Sequence, residues 1–327
     1  MFRKILVPLD GSANAEQAIP VAIAIARGAR AAIDLLRVHQ PLQIQVVKAF
    51  QELEHANWHA ENEALDILAE ETRRTVDVPV THAVLSGDPA TVICSRALDE
   101  GSDLVVMTSH GRTGFSRAWL GSVADAVVRR AAVPVLMLRS AEAFDEHART
   151  APRFGRILVP LDGSSTAAMV LEPAAALARS GDATLVLLRV VQPVPMASVP
   201  PMGFAGGAVV EDEAATHLLA RQAKGDLETA ARELAELGVT AVERHVIVEP
   251  GVGRAILDFA NRHRVDLIAM TSHGRGASRL VIGSIADKLL RGSSLPILLR
   301  RPALQGADRP LVEPGEIEQQ LAAIAGN

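Results

Sequence analysis

The chain has 327 residues, 49% of them hydrophobic, so two halves can each bury a core of their own. A net charge of -5 offers nothing to a nucleic-acid backbone, and 3% aromatics with no tyrosine gives no platform for stacking single-stranded bases. A single cysteine, Cys94, excludes an intramolecular disulfide, and no apolar run reaches the ~18 residues of a membrane span, so neither nucleic acid nor membrane is expected as a partner.

Residues 4–9 read as a short apolar strand closed by the turn signal Asp10-Gly11-Ser12. No charged-then-apolar leader stands ahead of it, from which a cytoplasmic location is expected. Residues 13–29 read as a helix that Pro20 is expected to kink. A strand at 32–38, a helix at 47–75, a strand at 78–85 and a helix at 89–100 follow, the last carrying Cys94 on its apolar side as an inert thiol. A strand at 103–107, a helix at 122–131 and a closing strand at 134–139 complete the half. Short apolar strands alternating with helices specify parallel pairing through right-handed crossovers.

After a linker at 143–153 the order begins again. Phe2 to Ser12 returns as Phe154 to Ser164, Val105 to Arg112 as Ile268 to Arg275, and Leu120 to Asp125 as Ile282 to Asp287. Three matched blocks in one order make the chain a tandem repeat of a whole domain, with units at 1–142 and 154–301 and a tail at 302–327 that carries a weak helical segment, 316–325. Second-half strands are expected at 156–161, 183–190, 239–248, 266–270 and 296–300. The main difference is 193–208, rich in Pro, Met and Gly, which reads either as a plain disordered stretch or as a lid or docking surface beside the second crevice.

In an open parallel sheet, ligands bind beyond the carboxyl ends of the strands, where the strand order reverses. Asp10 ends the first strand and 108–111 leave the fourth, so the repeated residues converge there. Asp10-Gly11-Ser12 alone is also an ordinary turn and helix cap. Gly111, Gly114 and Gly121 space a loop that feeds a helix opening at Ser122, and the N–H groups of Gly111, Gly121, Ser122 and Val123 suit a polyphosphate. Arg112 and Arg117 either add charge there or lie on a solvated face, and His110 and His273 are expected to tie down their own loops. The sequence has no Walker A loop, zinc-ligand spacing or Gly-x-Ser-x-Gly elbow, and offers no nucleophile with its base.

Ile-Leu-Val-Pro-Leu-Asp-Gly-Ser, Thr-Ser-His-Gly-Arg-Thr-Gly, Leu-Gly-Ser-Val-Ala-Asp and Val-Pro-Val-Leu together resemble the universal stress protein family, tandem type, over residues 2–139 and again over 154–301. The resemblance implies an α/β fold of two Rossmann-like (adenine nucleotide alpha-hydrolase-like) domains, each a five-stranded parallel sheet of order 3-2-1-4-5 with helices on both faces. It implies ATP, with or without Mg, as cofactor, held through Gly111, the nine residues to Gly121, and Ser122. Asp10 and Asp162 match the aspartate near adenosine, and Val38 and Val190 the backbone position near adenine. Gly274, Gly283, Ser284 and Ile285 are the second-half counterparts, but their loop is one residue short, so the first site is expected to be the better one. Thr108 and Thr271 replace the motif's first glycine. The implied partners are an adenine nucleotide and the other half of the chain in an internal pseudo-dimer, with a further homodimer open. The implied role is nucleotide-dependent interaction in a stress response, with hydrolysis at most slow. An interaction scaffold that binds no nucleotide and a nucleotide-using enzyme are the rival readings.

Overall fold

The computed structural model describes residues 1–41, 48–109, 120–139, 154–195, 212–272 and 282–302. The first half runs β1 (Lys4–Leu9), α1 (Ala13–Glu16), α2 (Ala18–Ala29), β2 (Ala32–His39), α3 (Lys48–Thr75), β3 (Val80–Ser86), α4 (Pro89–Asp99), β4 (Leu104–Thr108), α5 (Ser122–Arg130) and β5 (Val135–Leu138). The second runs β6 (Arg156–Pro160), α6 (Ser165–Ala168), α7 (Leu171–Gly181), β7 (Thr184–Val191), α8 (Glu213–Glu236), β8 (Val242–Val248), α9 (Val252–Arg262), β9 (Leu267–Thr271), α10 (Ser284–Gly292) and β10 (Ile297–Arg300).

Each half pairs its strands in the order 3-2-1-4-5, all parallel. Alternate residues feed opposite layers, as the two-residue strand period requires. Ile5, Val7, Ile33 and Leu35 join the α2 and α3 side, whereas Leu6, Leu36, Val105 and Met107 join the α4 and α5 side. With helices on both faces, both sides of the central strands are apolar, and β1 and β4 are buried along almost their whole length.

Two expected elements differ by more than a shift of one or two residues at an end. The helix expected at 13–29 is two helices. Ser12 caps the first by accepting from Ala15 N (3.1 Å), and the second starts one residue after Gln17. Pro20 therefore falls in the first turn of α2, where an N–H has no helical acceptor to lose, and it starts a helix rather than kinking one; Pro173 does the same in α7. The strand expected from 239 begins at Val242, because Gly238, at φ 80, turns the chain and the Val239 N–H closes α8 on Leu234 O (2.8 Å).

The closing strands β5 and β10 pair antiparallel, Val135 opposite Leu299 and Met137 opposite Ile297, so a single ten-stranded sheet runs from β3 to β8. Since each half is parallel within itself, the carboxyl ends of the two sets of strands point to opposite edges of that sheet. Reciprocal arginines stitch the junction: Arg139 Nη1 donates to Leu290 O near the end of α10, and Arg301 Nη1 to Arg129 O near the end of α5, both at 2.8 Å. On one face α2 lies directly on α7, and a Cβ at Gly28 would overlap the Ser180 backbone carbonyl.

Candidate functional site

β1 and β4 are neighbours, and so are β6 and β9, and the strand order reverses between them. A crevice opens at each carboxyl end, of about 840 Å³ in the first half and about 510 Å³ in the second. Both lie in the size range of small-molecule sites. The first gathers Asp10, Val38, Gly121, Ser122 and Val123, and the second gathers Asp162, Val190, Gly283, Ser284 and Ile285. Gly111, Arg112, Gly114 and Gly274 lie outside the described residues, as do Arg117, His110, His273, the residues from 196 to 208 and most of the tail.

Asp10 follows the last residue of β1, and Ser12 fixes its carboxylate by donating from both N (2.9 Å) and Oγ (2.6 Å) to Oδ1. Asp162 and Ser164 repeat the arrangement at 2.9 and 2.5 Å. Gly11, between them, has φ 78 and carries the Arg37 guanidinium against its Cα, where a Cβ would overlap it. Val38 and Val190 pack their side chains into the α4 and α9 layer. Their strands run one residue past the expected ends, to His39 and Val191.

Opposite Asp10 lies the start of α5. Gly121 is its N-cap and has no capping side chain, so the first-turn N–H groups of Ser122, Val123 and Ala124 have no helical acceptors. Gly283 caps α10 in the same way. The Gly121 N–H itself departs from the sequence expectation. It donates to Ser109 O, as Gly283 N–H does to Ser272 O, both at 2.8 Å, and so ties the helix start to the end of β4 or β9. Anion binding therefore falls to the residues after the glycine. Thr108 and Thr271 are the buried last residues of β4 and β9, paired with Leu138 and Arg300, so their Cβ atoms sit in extended strand rather than in a phosphate loop.

Sequence reasoning missed a charged cluster on the first wall. Arg37 Nη2 donates to Glu61 Oε1 (3.0 Å); His39 Nδ1 lies 2.8 Å from Glu61 Oε2, and its Nε2 lies 3.1 Å from Glu54 Oε1. Trp58 meets the imidazole edge-on at 5.4 Å between ring centroids. Burial works against the Glu61 carboxylate, but hydrogen bonds from His39 and Arg37 outweigh it and hold its pKa below the usual carboxylate range. Glu54 and Glu61 sit seven residues apart on one face of α3, a spacing that signals a shared face but not a histidine between them. The repeat gave no hint, because the second crevice has Val191 at the end of β7 and Ala223 on α8.

No group of three or more metal-ligating side chains is present among the described residues, and none of their helices is long and apolar enough to cross a membrane.

The sequence profile of the universal stress protein family matches residues 1–139 and 153–301. A universal stress protein of Mycobacterium tuberculosis is 34% identical over 136 residues, which are 41% of this chain and 45% of that protein, so the match spans less than half of the relative. A universal stress protein of Thermus aquaticus is 34% identical over 140 residues, 42% of this chain and all of that protein. The crystal structure of a universal stress protein from Archaeoglobus fulgidus superposes with a TM-score of 0.67 at 20% identity, covering 91% of this chain and 98% of that one, a likeness of fold.

Proposed function

The chain belongs to the universal stress protein family, and from that premise we propose that its two crevices bind an adenine nucleotide, ATP foremost, and that the protein acts in a stress response through nucleotide-dependent interactions. The observation that carries this is the convergence, twice, of a fixed aspartate, the end of the second strand and an uncapped helix N-terminus around one crevice. The residues fit such a ligand. Asp10 and Asp162, oriented by their serines, offer acceptors to the hydroxyl groups of a sugar. In this reading the backbone at Val38 and Val190, on the crevice walls, pairs with the edge of the base. The free N–H groups of Ser122 and Val123, or of Ser284 and Ile285, suit phosphate oxygens. Bound nucleotide would supply a polyphosphate whose loss or exchange alters the surface shown to a partner. The β5–β10 pairing supports the further proposal that each half serves as the other's dimer partner.

Calorimetric titration with ATP tests the reading. Gly121 and Gly283 have φ near -60, which any residue adopts, so Gly121→Val with Gly283→Val keeps the backbone while placing a branched side chain at both helix starts. The double variant is expected to lose ATP affinity more than tenfold with its circular dichroism unchanged. Equal titrations in two folded proteins would overturn the assignment.

A further inference from the structure

We infer that the two crevices are coupled: Arg139 and Arg301 are positioning residues that carry the seating of one crevice helix to the other, so that ATP in one crevice tightens ATP in its twin. The inference rests on the nucleotide reading above and adds a regulation of those sites.

Each helix that turns its N-terminus to a crevice is held at its other end by the opposite half. α5 and α10 have nine residues apiece, which makes them rods of about 13 Å. The last carbonyls of a helix have no helical N–H to receive. At the end of α10, Arg139 supplies the donors, Nη1 to Leu290 O (2.8 Å) and Nη2 to Arg291 O (3.5 Å). At the end of α5, Arg301 Nη1 donates to Arg129 O (2.8 Å) and Arg130 O (3.1 Å), and Arg300 Nη1 donates to Ala132 O (3.0 Å). A cation there also suits the helix dipole. Burial pulls the Arg139 pKa below the usual guanidinium value, and the helix carbonyls replace part of the water it has lost.

The same arginines are joined to the helix starts. Arg139 follows Leu138, whose carbonyl accepts from Ser109 N (2.8 Å), and Ser109 O accepts from Gly121 N (2.8 Å), the N-cap of α5. Arg301 follows Arg300, whose carbonyl accepts from Ser272 N (2.9 Å), and Ser272 O accepts from Gly283 N (2.8 Å), the N-cap of α10. These bonds close a ring from the start of α5 through Arg139 to the end of α10, along that helix, and back through Arg301 to the end of α5. Ser109 and Gly121 line the first crevice, and Ser272 and Gly283 line the second, so the ring passes through both. Along the helices Asp125 holds Arg129 (2.7 Å) and Asp287 holds Arg291 (2.9 Å). Those bonds raise both arginines above their usual pKa, and the aspartate of the opposite helix adds attraction at each. A phosphate bound on the first turn of one rod fixes its position, and neither rod can shift along its axis without straining ring contacts at both ends. An arrangement that seats one helix therefore seats the other. The second ATP meets a helix already placed, which makes the coupling positive.

Calorimetry with ATP on the full chain measures the coupling. Gly283→Val gives the binding constant of the first crevice with the second blocked, and Gly121→Val gives the converse. The overall two-site constant of the parent, divided by the product of these two, is the coupling factor, expected to be about five, at the low end for linked sites. Arg139→Met with Arg301→Met keeps the aliphatic stems and removes the donors. Measured on the same three backgrounds, it is expected to bring the factor to about one, whatever happens to the separate affinities. A merely structural clamp would change stability or both affinities and leave the factor alone. Arg139→Lys with Arg301→Lys replaces each fork by one ammonium, is expected to fall between, and serves where the methionine pair does not fold. A factor of one in the parent, a single ATP per parent chain, or an unchanged factor in the folded arginine variants overturns the coupling while the nucleotide reading stands. No ATP binding by the folded parent overturns both.

Discussion

At the scale of single residues, the halves solve one core position in two ways. Asp34 is fully buried and holds Arg96 Nε (2.9 Å) and Nη2 (3.2 Å) with Thr81 Oγ1 (2.7 Å). In the second half the corresponding places on β7 and α9 are Val186 and Phe259, both buried and apolar. A buried ion pair costs desolvation that its Coulomb attraction only offsets, so losing one partner is worse than losing both. Asp34→Val alone is expected to destabilise by about 3–5 kcal/mol, because it leaves Arg96 without its buried partner. Asp34→Val with Arg96→Phe is expected to return to within about 1 kcal/mol of the parent or above it, as read by urea unfolding. Cys94 makes a second residue-scale prediction. Burial pushes its thiol up to about 11, so thiolate is scarce at pH 8, and iodoacetamide should label it slowly until denaturant exposes it. Rapid labelling of the folded chain would contradict that burial. The half-buried position of this thiol was legible in sequence from its place on an apolar helix side. The Asp34–Arg96 pair was not, since the partners lie 62 residues apart and only the fold brings them together.

Among elements, the alternation of strands and helices in both halves was legible, because short apolar runs and helical spacing depend on local sequence. Boundaries that depend on a turn were not. The break at Gln17 follows from the Ser12 cap and the proline three residues later, signals that a continuous Ala/Ile run obscures. Contact between α2 and α7 was equally hidden, since nothing in either helix alone names its partner. Gly28 shows what that contact requires. Leucine there meets the Ser180 backbone, which cannot rotate away as a side chain can, so the helices must separate. Gly28→Leu is expected to cost about 2–3 kcal/mol and to split a single calorimetric transition into two, as each half retains its own core. A single transition at the parent's temperature would show that this helix contact contributes little to coupling the halves.

For the whole molecule, the repeat declared two like domains, and the carboxyl-end rule pointed to both crevices before any coordinates. What the sequence withheld was the difference between them. It lies in residues present once, Glu16, His39, Glu54 and Glu61, and a search for repeated blocks passes over unrepeated ones. The junction has a consequence of its own. Two identical chains paired through their closing strands would receive every mutation twice, so any change that spoils one crevice would spoil both. Here β5 and β10 meet within one polypeptide, and each half inherits its changes separately. One crevice can then drift toward a new ligand while the other keeps the old, with the shared sheet preserving the assembly throughout. The salt bridge of one half and the phenylalanine of the other show that the two cores already differ at a shared position.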